Sequence, residues 1–266
     1  MKIQVNGVTI DYRDEGAGLP CIFIHAFPLN QTMWDEQVKA LKNHCRAITL
    51  DLRGFGGSDA TKGLCSMSQM ASDIRQLMKI LSIDRAALVG MSMGGYIALA
   101  FYRDYPEMVR AMVLANTRAA ADTTEARERR MKSAERAERY GAAAIADDMI
   151  SIAFTPATAE SRPRLIERLR AMIEANSPPS LAAAQRGMAA RLDSTELLSS
   201  IDFPVVIIAG SDDRITPLAE MKGLHDRIPA SRLTVIEGVG HFSNLERADE
   251  FNQALIDFIQ SLPDES

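Results

Sequence analysis

The stretch Val89-Gly90-Met91-Ser92-Met93-Gly94-Gly95 follows a short apolar run, Ala86 to Val89, and leads straight into a helix-like segment, Gly94 to Tyr102. A serine with a glycine two residues to either side is common by chance. Placed between a buried strand and a helix, it has the context of a nucleophile elbow. The turn there is so tight that a Cβ at either glycine would clash. Such a serine stands at the carboxyl edge of a sheet, near a helix N-terminus whose partial positive charge favours a developing anion. The competing reading is a plain Gly/Ser turn in a doubly wound sheet. The spacing predicts Ser92 as a nucleophile.

Toward the N-terminus, Ile3 to Val5 and Val8 to Arg13 flank Asn6-Gly7, a strong hairpin signal. Cys21 to Ile24 is a continuous apolar run of the kind buried in parallel sheets. Met33 to Leu41 reads as a helix and Ala47 to Leu50 as a strand. Ser66-Met67-Ser68-Gln69 fits a capping box opening a helix to about Leu81. A further strand covers Ala111 to Ala115. The alternation then stops: from about Arg118 to Leu192 the chain is helical, with breaks at Gly141, Thr155-Pro156 and Asn176-Ser177-Pro178-Pro179. Strands return at Pro204 to Ala209 and Leu233 to Ile236, and a last helix covers about Ala248 to Leu262. The expected architecture is α/β: a mostly parallel, doubly wound sheet with an inserted helical cap. The core is assigned to 1–117 and 198–266, and the cap to 118–197.

The 266 residues suit one large domain, or one domain carrying an inserted subdomain. Hydrophobic residues make up 47% and charged residues 24%, a globular balance, and the formal net charge of −5 gives no electrostatic footprint for nucleic acid or anionic lipid. The partners expected are small molecules, and the sequence leaves a homo-oligomer open. Cys21, Cys45 and Cys65 form no metal-spaced pair. The first residues carry no apolar signal region and no run is long enough to span a bilayer, which makes the cytoplasm the default expectation.

A serine hydroxyl needs a base to take its proton. Of the four histidines, His241 follows the strand Leu233 to Ile236, which places it on the same sheet edge as Ser92. His44 and His225 sit among polar residues, and His25 ends an early strand. The base needs an acid to orient it. Gly210-Ser211-Asp212-Asp213 follows another strand at that edge, giving the chain order Ser, Asp, His. Adjacent side chains point apart, so only one aspartate can reach His241. Asp213 is favoured and Asp212 is read as its solvated neighbour. Asn116 also ends a strand at this edge, but an amide cannot act as the acid. Two oxyanion donors are expected, the backbone N–H groups of Met93 and of Phe27.

These pieces, with His25-Ala26-Phe27-Pro28, Asp51-Leu52-Arg53-Gly54-Phe55-Gly56-Gly57-Ser58 and Gly240-His241-Phe242, resemble the α/β-hydrolase superfamily over nearly the whole chain. The chain looks most like bacterial arylesterases, 3-oxoadipate enol-lactonases and cofactor-free haloperoxidases (perhydrolases), and Asp193 to Leu198 is especially like the enol-lactonase group. The resemblance implies structural roles for His25 and Arg53, although Arg53 could by itself bind a substrate carboxylate. The family usually has His-Gly where this chain has His25-Ala26; a positive φ there would cost alanine on the order of 1 kcal/mol. Serine at the elbow sets the chain apart from haloalkane dehalogenases and most epoxide hydrolases, which carry aspartate. Gly54-Phe55-Gly56-Gly57 lacks the spacing of a dinucleotide or phosphate loop, so no cofactor and no metal are expected.

Trp34, Met91 and Phe242 flank the expected chemistry, and Tyr140, Met149, Phe154 and Met188 are candidate pocket residues from the cap. Arg127, Arg129, Arg130, Arg136 and Arg139, mixed with glutamates, read as a solvated helix face. The leading expectation is a serine hydrolase cleaving small carboxylic esters or lactones. Enol-lactonase and perhydrolase activities are alternatives, the former requiring an inward-facing arginine for its anionic substrate. A ligand receptor with a retained triad is the non-enzymatic alternative.

Overall fold

The computed structural model describes residues 1–263. The hairpin opens with β1 (Lys2–Val5) and β2 (Val8–Gly16), joined by Asn6 and Gly7, whose φ values of 46° and 79° are the positive pair a two-residue hairpin demands. Then follow β3 (Pro20–Ile24), α1 (Asp35–Leu41), β4 (Arg46–Leu50), α2 (Met67–Ile80), β5 (Ala86–Met91), α3 (Met93–Asp104) and β6 (Val109–Ala115). The expected helix at Met33 begins instead as a 3₁₀ turn, Gln31–Trp34, capped by Asn30. Ser66 caps α2 as its sequence predicts, accepting the Gln69 N–H at 3.1 Å.

The sheet has eight strands among the described residues, in the order β1-β2-β4-β3-β5-β6, then β7 (Val205–Gly210) and β8 (Ser231–Ile236). Pairings involving β1 and β2 are antiparallel and the rest are parallel. The strand β5 is buried throughout, as its unbroken apolar sequence requires. The chain winds from β3 to β4 toward one edge and returns to β5 on the other side of β3. The order therefore reverses between β3 and β5, where ligand crevices of open α/β sheets form, beyond the strands' carboxyl ends.

Four α-helices and a 3₁₀ helix, Thr195–Ser200, separate β6 from β7; the α-helices are α4 (Thr124–Ala153), α5 (Pro156–Ser161), α6 (Pro163–Glu174) and α7 (Pro178–Ala189). Each break in the sequence has its physical counterpart. Gly141 bends α4 at φ 81°, Thr155 caps α5 with Pro156 at its first turn, and Ser177 caps α7 ahead of Pro178. α4 packs on α6 and α7. The cap helices occupy 124–189, inside the expected 118–197. Asn176 pins this layer to the core: its Nδ2 donates to the Pro28 carbonyl at 2.8 Å, and its Oδ1 accepts the Gly56 N–H at 2.9 Å. Helices α8 (Leu218–Arg227), α9 (Ser243–Glu246) and α10 (Ala248–Gln260) complete the core. Of the 198–266 assignment, residues 264–266 lie outside those described.

Candidate active site

Ser92 joins β5 to α3 with φ 53° and ψ −114°, a backbone that L-residues adopt only under constraint. Its neighbours hold it there. The Ser92 N–H donates to the Ala115 carbonyl at 2.9 Å, and its carbonyl accepts the Thr117 hydroxyl at 2.7 Å and the Gly95 N–H at 2.9 Å. A Cβ at Gly90 would come within 2.5 Å of the Gly94 carbonyl oxygen, and one at Gly94 within 2.1 Å of that of Ile24. Both glycines are therefore dictated by close backbone approach.

His241 Nε2 lies 2.8 Å from Ser92 Oγ, and its Nδ1 lies 2.8 Å from Asp213 Oδ2. All three residues are buried. Asp213 Oδ2 also accepts from Asn116 Nδ2 at 2.8 Å and from the Thr216 hydroxyl, while Oδ1 accepts the N–H groups of Ile215 (2.8 Å) and Thr216 (2.9 Å). Burial by itself would raise the acid's pKa. The facing His241 and these donors outweigh it and hold the carboxyl well below the usual carboxylate range. Asp212 is exposed. The loop carrying His241 is tied to the cap: its N–H donates to the Ala153 carbonyl at 2.7 Å, and the Gly240 N–H donates to Glu246 Oε1 at 2.8 Å. Glu246 Oε2 accepts the Thr158 hydroxyl of α5 at 2.7 Å, and burial raises this carboxyl's pKa.

Among the described residues, no protein acceptor engages the N–H of Phe27 or of Met93. Ala26 has no positive φ, so alanine imposes no such strain on this loop. His25 is a clamp: Nδ1–H donates to the Ala26 carbonyl at 3.0 Å, and Nε2 accepts the Leu52 N–H at 3.1 Å. Burial lowers its pKa, in keeping with a neutral ring. Arg53 pairs with buried Asp73, so its guanidinium is committed away from the reacting groups.

Ser92 and His241 open into a cavity of about 450 Å³ between the sheet edge and the cap, with Phe27, Met149 and Met188 in its wall. The other expected pocket residues are not part of that wall. Trp34 is fully buried against Phe23 and Phe251. Met91 ends β5 inside the core, because successive strand residues face opposite ways. Phe242 and Phe154 pack on each other at 5.8 Å and brace the His241 loop. Tyr140 is exposed under the guanidiniums of Arg136 and Arg139. Of the cap arginines, Arg127, Arg129, Arg136 and Arg139 are exposed, as a solvated helix face requires, and Arg130 is half-buried; Arg129 and Arg130 also line the cavity, together with Arg118 and Arg214 from the loops after β6 and β7. One carboxylate, Asp122, shares the wall, and it is engaged by both Arg130 and Arg191. Ala126, Arg129, Arg130 and Ser133 recur at helical spacing on one face of α4, a pattern visible in the sequence but masked by its polarity. Among the described residues, no group of three or more His, Cys, Asp or Glu side chains is arranged to hold a metal ion, and no helix is long and apolar enough to cross a membrane.

The sheet order, the strained serine and the Ser92–His241–Asp213 chain define an α/β-hydrolase, and residues 20–248 match the family described as alpha/beta hydrolase fold; the chain belongs to it. It is 29% identical to 3-oxoadipate enol-lactonase 2 of Acinetobacter baylyi, covering 95% of this chain and 92% of that one. It is 32% identical to a protein of Synechocystis sp. named as a putative non-heme chloroperoxidase, covering 97% and 98%. Among solved structures, a thermophilic esterase from Thermogutta terrifontis with malate bound superimposes with a TM-score of 0.95 at 37% identity, over 98% of each chain.

Proposed function

We propose that this hydrolase cleaves small carboxylic esters or lactones through an acyl-enzyme on Ser92. The observation that carries the reading is the unbroken hydrogen-bonded chain from Ser92 through His241 to Asp213, opening into the cavity under the cap. Ser92 Oγ attacks the substrate carbonyl as His241 Nε2 takes its proton, while Asp213 holds Nδ1–H and stabilises the imidazolium. The Phe27 and Met93 N–H groups receive the oxyanion. As the tetrahedral intermediate collapses, the alkoxide leaves with the proton from His241. Water, deprotonated by His241, then attacks the acyl-enzyme, and the acid is released with Ser92 restored. The relatives named enol-lactonase and esterase support this assignment. Hydrogen peroxide in place of water would yield a peracid on the same path, the alternative favoured by the chloroperoxidase relative. The test is steady-state release of 4-nitrophenol from acetate and butyrate esters. Wild type turns over many times, and Ser92→Ala loses roughly 10⁴-fold or more, since the three residues act as a unit. Equal rates in both proteins, or a single slow event in wild type, would overturn it, the latter favouring a receptor.

The arginine-rich wall supports a narrower reading, in which the acyl part carries a carboxylate, as in a half-ester or an acidic lactone. Arg118, Arg129, Arg130 and Arg214 face one already neutralised acid, Asp122. An ionised carboxylate entering here exchanges water for guanidinium donors. The discriminating pair is 4-nitrophenyl hydrogen succinate against 4-nitrophenyl butyrate, close in size and different in charge. Preference for succinate by kcat/KM, reduced in Arg129→Gln, supports it. Preference for butyrate sinks this narrower reading and leaves the serine mechanism standing.

A further inference from the structure

The wall of the cavity beside Ser92 is rich in polar side chains, and nearly all of them are committed to one another or to the backbone. Asp122 holds Arg130, whose Nη1 also donates to Gln185 Oε1 at 3.2 Å. Gln185 Nε2 donates to Ser133 Oγ at 3.1 Å. Arg118 donates to the Ile215 carbonyl, and Arg214 to the carbonyls of Ser151 (3.1 Å) and Phe154 (3.0 Å). Ser92 and His241 are joined to each other. Among the described residues, that leaves Tyr96 and Arg129 as the polar side chains of this wall that make no hydrogen bond.

Arg129 is exposed, whereas Tyr96 is only 7% exposed. Tyr96 stands in the first turn of α3, its N–H donating to the Ser92 carbonyl at 3.3 Å, so it lies one helical turn from Ser92. The Arg191 guanidinium covers its ring at 4.2 Å, and is itself held by Asp122 at 2.7 Å and by the carbonyls of Ala120 (2.8 Å) and Met188 (3.0 Å). Arg191 is not part of the cavity wall; with the ring it borders a smaller hollow of about 100 Å³. The ring is thus fixed from behind. Its hydroxyl has no partner in the protein, yet water can reach it. Tyr102, on the same helix and 8% exposed, shows the ordinary alternative by donating to the Ser200 carbonyl at 2.8 Å. Buried tyrosines usually find such a partner.

We propose that Tyr96 is a specificity-determining residue whose hydroxyl donates to an acceptor oxygen in the acyl chain of the substrate, a keto, ether or carboxylate oxygen a few bonds from the scissile carbonyl. The acyl part stays bonded to Ser92, one turn from Tyr96, whereas the leaving alkoxide must lie at His241 to receive its proton. A donor already held in place gives up little freedom on binding. A purely hydrocarbon acyl chain would displace water from the hydroxyl and offer it no acceptor, so the site favours chains that carry one. The inference rests on the acyl-enzyme reading and is independent of whether the acyl part is charged.

The test is kcat/KM of wild type and Tyr96→Phe on two pairs of uncharged 4-nitrophenyl esters matched in length: 4-oxopentanoate against pentanoate, and methoxyacetate against butyrate. Phenylalanine keeps the ring under Arg191 and removes the hydroxyl alone, and the wild-type-to-variant ratio cancels each ester's intrinsic reactivity. The variant should lose about tenfold on one or both oxygen-bearing esters and change less than about twofold on their hydrocarbon partners. Its urea midpoint should equal that of wild type, because the hydroxyl makes no bond within the protein. Equal loss on all four esters would overturn the proposal, since the hydroxyl would then support Ser92 and not the substrate. No loss on any of them would place it toward the hollow behind the ring, and a lowered midpoint would reveal a protein partner; either result also overturns it. Wild type that turns over none of the four would instead defeat the acyl-enzyme reading, and this inference with it.

Discussion

Ser92→Gly should be more stable than Ser92→Ala, the reverse of the usual order for these residues. Both variants lose Oγ and its contact to His241, so that loss cancels in the comparison. What differs is the backbone. At φ 53° and ψ −114°, any residue with a Cβ is strained, and such strain costs about 1–3 kcal/mol. Glycine removes it and in exchange gives the unfolded chain more freedom, a penalty of about 0.5–1 kcal/mol. Mid-range values leave Ser92→Gly ahead by roughly 1.2 kcal/mol, about 8-fold in the folded-to-unfolded ratio. Urea unfolding followed by tryptophan fluorescence reads it as a higher midpoint at unchanged slope, Trp34 being the chain's sole tryptophan and fully buried. Equal midpoints, or a higher one for Ser92→Ala, would refute the argument that Ala115 and Thr117 impose an unfavourable conformation on Ser92.

Asp213→Asn should fold yet lose about 10⁴-fold in kcat, because the new amide would present N–H groups toward the donors of Asn116, Thr216 and His241; a loss below tenfold would show that Asp213 does not orient the histidine. Glu246 has its folded pKa raised by burial, so the stability it contributes is full below its unfolded value of about 4.3 and is lost as pH rises through the folded value. The advantage of Glu246→Gln over wild type in urea midpoint should therefore grow from pH 4 to pH 8, and a flat difference would contradict the assignment. Asn176→Ala strips partners from the Gly56 N–H and the Pro28 carbonyl and should cost about 1–3 kcal/mol, with KM more affected than kcat because the cap loses an anchor; unchanged stability would show that water replaces the amide.

The buried strands were legible because a strand covered on both faces must be apolar throughout, and Ala86 to Val89 and Val205 to Ala209 leave no other arrangement open. The breaks between the helices of the insertion followed from glycine, proline and serine punctuation. The candidate residues Ser92, Asp213 and His241 were legible from the strand–Gly-x-Ser-x-Gly–helix context and from position, since parallel strands deliver their following loops to one edge, while order by itself left Asp212 and Asp213 to be chosen between. Its surroundings were not. Trp34, Met91 and Phe242 are near the chemistry in sequence, but which way each side chain turns depends on tertiary packing, and all three turn into the core. The cavity arginines were hidden for the opposite reason: Arg129 remains exposed and Arg130 half-buried, and only the fold of the cap over the sheet turns their face of α4 into a cavity wall. Asn116 was noticed at its strand end and set aside as no acid, which missed its contribution as a donor.

That contribution gives the end of β6 a unifying role. Three consecutive residues there hydrogen-bond to Ser92 or Asp213. Ala115 accepts the Ser92 N–H, Thr117 donates to the Ser92 carbonyl, and between them Asn116 donates to Asp213. Asn116 itself has φ 44°, a twist that departs from the strand, and its carbonyl oxygen Oδ1 accepts the Ser243 hydroxyl at 2.6 Å, two residues beyond His241. One short segment thus touches all three loops that carry the hydrogen-bonded chain of Ser92, His241 and Asp213. A displacement of β6 would move the serine and its acid together, keeping their relative geometry. A change confined to Asn116 would uncouple them. Catalytic loss in Asn116→Ala should accordingly exceed what its effect on stability explains, with kcat falling and KM held, whereas parallel loss of both would reduce Asn116 to a packing residue.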